Sequence, residues 1–194
     1  MVWIMLAITM VCVVIVFAIV MVQKEKGTLV KQARAVTKDM VYENAYIVSN
    51  DDGRLIFICD GNLYRAKGTM EENFTGVCDI EISGSKVKKI QIKPDDISGV
   101  MLSYGDGTMQ IAGQGDIPMQ SDKLPVYDET GTSPKEIAVS DLIIGSETLS
   151  YILDSGRICA IVRRQVPDLT YIRVLIKNDG KLSLIHISEP TRRV

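Results

Sequence analysis

Four short turn signals divide the middle of this chain into hairpins, and that punctuation leaves little room for a helical fold. They are Asn50-Asp51-Asp52-Gly53, Ser83-Gly84-Ser85, Gly105-Asp106-Gly107 and Asp154-Ser155-Gly156. Glycine, aspartate and asparagine tolerate the left-handed backbone of tight hairpins, and the alternating runs around them read as strands. Ile80 and Ile82 point to one face while Asp79 and Glu81 point to the other. On the return strand Ile90 and Ile92 oppose Lys89, Gln91 and Lys93. Acidic side chains then face basic ones across the pair, each such pair contributing roughly 0.2–1 kcal/mol. The same reasoning predicts two strands within residues 47–59, and hairpins over 79–93, 100–112 and 149–162. Residues 113–123 read as a loop, 124–128 as a short strand and 130–135 as another loop. The expected fold is mainly β, an antiparallel, hairpin-rich domain forming a sheet or small barrel. Asp52-Gly53-Arg54-Leu55, Gly107-Thr108-Met109 and Gly156-Arg157-Ile158 share a loose form. It reads as common hairpin chemistry rather than an internal repeat.

The start of the chain is of a different kind. Residues 1–22 carry no charge and are rich in valine, isoleucine and methionine. About 20 apolar residues span a hydrocarbon core of roughly 30 Å. Ala18-Ile19-Val20-Met21-Val22 offers no small-x-small pair for signal cleavage. Residues 1–23 are therefore expected to be an uncleaved transmembrane helix. Residues 24–45 are expected to form a juxtamembrane helix or stalk. Within them Leu29, Ala33, Val36 and Met40 repeat at spacings of four, three and four, the stripe of a short amphipathic helix over 28–44. Lys24, Lys26, Lys31, Arg34 and Lys38 follow the span and nothing basic precedes it. By the positive-inside rule this places the remainder in the cytoplasm.

The end of the chain is also unusual. Leu182-Ser183-Leu184-Ile185-His186-Ile187-Ser188-Glu189-Pro190-Thr191-Arg192 resembles the in-frame translation of a transposase adapter used in sequencing libraries. Residues 182–194 are therefore expected to be adapter-derived, with the natural chain continuing differently beyond Lys181. His186, the single histidine, is then no base, ligand or pH switch. The whole sequence carries a formal net charge of −2. Setting aside Arg192, Arg193 and Glu189 leaves it acidic. With no basic excess to neutralise phosphates, nucleic acid is not an expected partner. Residues 46–166 are expected to be one β-rich accessory domain and 167–181 the first strand of another. Ile172, Val174 and Ile176 share a face there, and Asp179-Gly180 is a turn signal. With the tail discounted, that strand is expected to lack a partner.

Catalytic patterns are not found. Asp51-Asp52, Glu71-Glu72 and Asp95-Asp96 are adjacent carboxylates in turn-like stretches, where neighbours diverge and solvated acids are normal. Tyr104-Gly105-Asp106-Gly107-Thr108 is too short and too poor in acids for an EF-hand. Gly113-Gln114-Gly115 has no helix pattern after it to hold a phosphate. Asn73-Phe74-Thr75 matches a glycosylation sequon. Cys12 lies in the apolar run, and Cys59, Cys78 and Cys159 form no Cys-x-x-Cys pair. These three allow at most one disulfide, and Cys59 and Cys159 read as structural thiols in strands. Zinc is not expected without histidines or paired cysteines. No catalytic, cofactor-binding or metal-binding residue is assigned, and no cofactor.

One stretch carries a family likeness. Ile172-Arg173-Val174-Leu175-Ile176 runs into Asn178-Asp179-Gly180 and follows Ile158-Cys159-Ala160-Ile161. Together with the N-terminal anchor and the turn-rich β-region, it resembles the entry to the conserved domain of the SpoIID/LytB (stage II sporulation protein D-like) family of clostridial Firmicutes. The resemblance implies a peptidoglycan-remodelling protein held on the outer side of the cell membrane. It acts as a lytic transglycosylase in sporulation or enhances an amidase, and its partners are peptidoglycan and other cell-wall or engulfment proteins. The family's catalytic glutamate lies beyond this strand, so no functional residue is carried over and the chain as it stands is expected to be inactive. The lack of basic residues before the anchor departs from the family and conflicts with an outside location. The alternative expectation is a membrane-tethered, non-enzymatic β-rich interaction or assembly module.

Overall fold

The computed structural model describes residues 32–51, 53–68, 70, 74–165, 171–178 and 181–188. The expected transmembrane helix lies outside them. Among the described residues no helix is long and apolar enough to cross a membrane.

The strands are β1 (Arg34–Ala35), β2 (Met40–Asp51), β3 (Arg54–Cys59), β4 (Asn62–Lys67), β5 (Gly76–Ser83), β6 (Lys86–Ile92), β7 (Ile97–Gly105), β8 (Thr108–Ile111), β9 (Gly115–Pro118), β10 (Val126–Asp128), β11 (Lys135–Ile137), β12 (Thr148–Asp154), β13 (Arg157–Arg163), β14 (Tyr171–Asn178) and β15 (Lys181–Ser188). A single 3-10 turn, Val139–Asp141, interrupts them. The first six strands form one sheet and the next seven another. The mainly β expectation therefore holds.

Each sheet curls until its ends meet. In the first, β2 pairs antiparallel with both β3 and β5, and β4 meets β6 in parallel at Lys67 and Lys86. The Lys67 amide seals that contact by donating to the Ser85 carbonyl at 2.8 Å. In the second, β7 pairs with β8 and β12, and Met119, just past β9, forms a parallel bridge to Ile158 on β13. The Gln120 amide donates to the Ile158 carbonyl at 2.9 Å. Numbering the five ring strands along the chain, both rings read 1-2-3-5-4. That is the Greek-key order of OB-type barrels. The shared hairpin form therefore accompanies a repeated connectivity, which turn chemistry alone did not predict.

Alternation along the strands fills both barrels. Ala45, Ile47, Leu55, Phe57, Cys78 and Ile80 pack inside the first. Met101, Met109, Ile111, Leu149, Tyr151 and Ile158 pack inside the second. Neighbours on the opposite faces pack between the barrels: Tyr46, Ile58 and Val77 meet Tyr127, Ile152 and Val162. Buried on both faces, β3, β13 and the Ala45–Ile47 stretch of β2 read as nearly continuous apolar runs. Gly68 shows how tight the first closure is. Its φ is +146°, and a Cβ there would sit 2.9 Å from the Val87 Cβ.

Two expectations are corrected. Residues 34–44 are not helical. Arg34–Ala35 pairs in parallel with β4, and β2 begins at Met40. Ala33 and Val36 are buried as the stripe requires, but Met40 is 54% exposed. Pairing with β5 outweighs a helical pattern that only two of its described residues satisfy. Gln32 is helical, and the rest of that segment lies outside the described residues.

Residues 113–123 are not all loop. Gly113 and Gly115 adopt φ of +79° and +82°, which folds Gly115–Pro118 back onto β8. The strand Asn62–Lys67, beyond the turn at Asp60-Gly61, is an addition to the strands that the sequence predicts. In the chain as given, β14 pairs antiparallel with the tail strand β15, from Tyr171 opposite Ser188 to Asn178 opposite Lys181, and with no strand outside the tail among the described residues. The tail supplies an alternating apolar sequence beyond the Asp179-Gly180 turn signal, so in this chain it completes a hairpin.

Candidate functional site

The outer face of β3 and β4 has two unlike ends. At one end Ile58 and Leu63 are covered by the second barrel. At the other, Arg54 lies directly across from Lys67, and Lys67 meets Lys86 across the ring closure. Three cations thus stand in register on three strands. Arg65 joins them, opposite Ile56 on the same face of the β3–β4 pair. Arg54, Arg65 and Lys67 border a cavity of about 300 Å³, with Val36 and Ala66 among its apolar lining and Ser85 at its side.

Asp51 on β2 stands opposite Arg54 at the head of the row, but the Arg54–Lys67 and Lys67–Lys86 contacts work against stability. Like charges directly opposite one another in a sheet are destabilising by some tenths of a kcal/mol. Elsewhere the fold pairs its charges. Lys93 Nζ lies 2.8 Å from Asp79 Oδ1, and Glu81 stands opposite Lys89 while bonding Lys88. The acid-facing-base expectation for that hairpin is met. Among the described residues Arg54, Lys67 and Lys86 make no ion pair with a described acid.

The second barrel holds a buried ionic cluster. The Glu147 side chain is 0% exposed, and its Oε2 lies 2.9 Å from Arg163 Nε, without the alignment of a hydrogen bond. Its Oε1 accepts from the Ile143 amide. Arg163 also reaches Asp128 Oδ2 at 3.9 Å, and Thr130 donates to Asp128 through both amide and hydroxyl. The Tyr151 hydroxyl is buried with no hydrogen-bond partner among the described residues. Burial, then the nearby Glu147 charge, raises its pKa. An ordinary phenol is already protonated at neutral pH and this one more so, which makes it a poor base.

The adjacent acids diverge as expected where they are described. Asp95 binds the Arg164 guanidinium, whereas Asp96 accepts from the Leu153 amide at 2.7 Å. The side chains of Asp51, Asp52, Glu71 and Glu72, the sequon asparagine and the His186 side chain lie outside the described residues. Asp106 and Gly107 occupy a hairpin turn. Cys59, Cys78 and Cys159 are buried free thiols. Burial pushes Cys59 and Cys78 up to about 12. Among the described residues no group of acids, histidines and cysteines could hold a metal.

Neither cationic row nor ionic cluster was assigned from sequence. Arg54, Lys67 and Lys86 are separated by turns and converge only through barrel closure. Glu147 precedes its strand with no local sign that its carboxylate turns inward. No family model, curated protein or solved structure matches this chain.

Proposed function

We propose that this chain is a membrane-tethered, non-enzymatic interaction module, anchored by residues 1–23 and meeting partners on its barrel surfaces. The observation that carries this reading is the filling of both barrels by their own side chains. A barrel with a packed interior leaves its outer faces for recognition, and OB-type barrels use the face of their second and third strands. That face here is β3–β4, which carries Arg54 and Lys67. The test is to fractionate the full chain after expression in a bacterial host. Retention in membranes through alkaline carbonate washing is expected, and release into the wash ends the anchor reading. The lysine cluster after the apolar run favours a cytoplasmic location for the barrels.

The second reading is the membrane-anchored N-terminal part of a SpoIID/LytB-like peptidoglycan-remodelling protein, with the barrels outside the cell membrane. One observation favours it: β14, which carries the likeness, pairs with β15 and joins neither barrel sheet. Protease added to intact cells separates the two. Protection supports the cytoplasmic module, and cleavage between the barrels and the anchor supports the wall-facing protein. Reading the source DNA across the Lys181 codon adds an independent check. A frame continuing into a domain with a pocket glutamate supports the enzyme, and an early stop removes it.

A further inference from the structure

We infer that the cationic row on the first barrel seats the phosphate groups of anionic lipid headgroups. The inference rests on the anchored reading above and names the ligand of that surface. Four observations converge. Arg54, Lys67 and Lys86 are exposed and stand in register across β3, β4 and β6. Asp51 stands opposite Arg54, but Lys67 and Lys86 meet as like charges and neither makes an ion pair with a described acid, so a diffuse negative surface relieves the cost of that contact. The adjoining cavity is partly apolar, through Val36 and Ala66, and open to the outside. Such a mixed lining suits the boundary between headgroup and acyl chain better than bulk water. Ala35, at the cavity edge, belongs to β1, and only about a dozen residues separate that strand from the apolar run. Fully extended, a dozen residues reach about 40 Å, which keeps the row within range of the bilayer surface.

The chemistry disfavours a nucleic-acid strand on the same row. Base-tolerant single-strand sites pair a basic groove with aromatic platforms. The aromatic residue nearest in sequence, Tyr64, instead packs toward the barrel core against Tyr42 and Phe57. The whole chain is also acidic. Lysines near an anionic leaflet gain from its surface potential within a Debye length.

The experiment uses the full chain in lipid nanodiscs and reads lysine acylation by mass spectrometry. Lys67 and Lys86 report on the row, and the exposed Lys123 and Lys135 on the second barrel serve as references. Moving from phosphatidylcholine discs to discs containing phosphatidylglycerol is expected to lower acylation of Lys67 and Lys86 several-fold against the references. Arg54→Gln is expected to weaken that protection. Inorganic phosphate or a mixed-sequence single-stranded oligonucleotide, added to neutral discs, is expected to give none. Equal labelling in both disc types overturns the inference, and so does protection by free phosphate or oligonucleotide in neutral discs. Failure to enter discs at all, read separately by co-purification, removes the anchored reading and this inference with it. The wild-type comparison needs no variant to fold.

Discussion

The Tyr127 phenol donates a hydrogen bond to the Asn44 carbonyl, 2.6 Å away, and thereby ties the second barrel to a bend in the first. Asn44 sits at φ +53°, at an irregularity in the pairing of β2 with β5. Asparagine is one of the few residues that tolerates that region. Its amide donates to Asp79 and its side chain accepts from Lys93. Tyr46 makes the return connection, donating to Glu129 at 2.6 Å, and the two tyrosine rings lie 4.9 Å apart. Tyr127→Phe keeps the ring and removes the donor, leaving a part-buried carbonyl unpaired. A loss of about 1–3 kcal/mol is expected in urea unfolding. An unchanged midpoint would mean that the seam depends on ring packing alone.

The ionic cluster gives a pair of opposite expectations. Glu147→Ala removes the fully buried partner of Arg163, leaving it the longer contact to Asp128, and should cost about 3 kcal/mol. Tyr151→Phe removes a hydroxyl that is buried without a partner among the described residues, so it should be neutral or stabilising by about 1 kcal/mol. Thermal melts of the two variants check both signs. Marked destabilisation by Tyr151→Phe would show that the hydroxyl has a partner.

Asp128 predicts a pH response. Burial pushes its carboxyl up, but the Thr130 hydrogen bonds, with Arg163 and Lys135, outweigh this and hold it below the ordinary carboxylate range. A carboxyl whose pKa is lower in the folded state binds its proton more readily when unfolded. Its stabilising contribution is therefore present above about pH 4, the ordinary aspartate value, and is lost as pH falls through the lower folded value. Asp128→Asn should flatten that acid limb relative to the wild type. Parallel stability curves between neutral and strongly acidic pH would remove Asp128 from the account.

The thiols should be silent. Cys59, Cys78 and Cys159 are buried, and burial raises all three above the ordinary thiol value. The thiolate is the reactive form, so alkylation at neutral pH should wait for unfolding. Peptide mapping after a brief maleimide pulse, with and without urea, reads each site separately. Prompt modification of Cys59 in the native protein would contradict its packing.

At Gly68 the expectation concerns closure. Gly68→Ala sets a side chain into a backbone region unfavourable to it and against the Val87 Cβ. The cost should exceed about 1 kcal/mol. Val87→Ala should not rescue it, because the nearest contact is with an atom that alanine retains. Urea unfolding of the double variant tests this.

What the sequence disclosed was local. Asp52-Gly53, Gly84-Ser85, Asp106-Gly107 and Ser155-Gly156 each join strands that pair with their immediate neighbours, so turn and alternation lie in one short window. Ring closure rests on Lys67 meeting Lys86 and Met119 meeting Ile158, contacts across intervening strands with no local signature. The cationic row inherits that invisibility, since its members become neighbours only when the first ring shuts. The expected helix failed for a related reason. Ala33 and Val36 are buried, but in a chain that runs beside β4, and spacing alone does not distinguish the two paths.

The two-residue β1 has a mechanical consequence. It is held to β4 in register at Arg34 and Ala35, while β2 behind it is twelve residues long and bonded along both edges. Tension applied at the N-terminal end therefore meets a weak clasp before a strong one. A modest tug peels β1 and bares the edge of β4, while the barrel stays shut until β2 is sheared from two neighbours at once. Load applied ahead of β1 would thus be absorbed first at the rim of the cationic cavity.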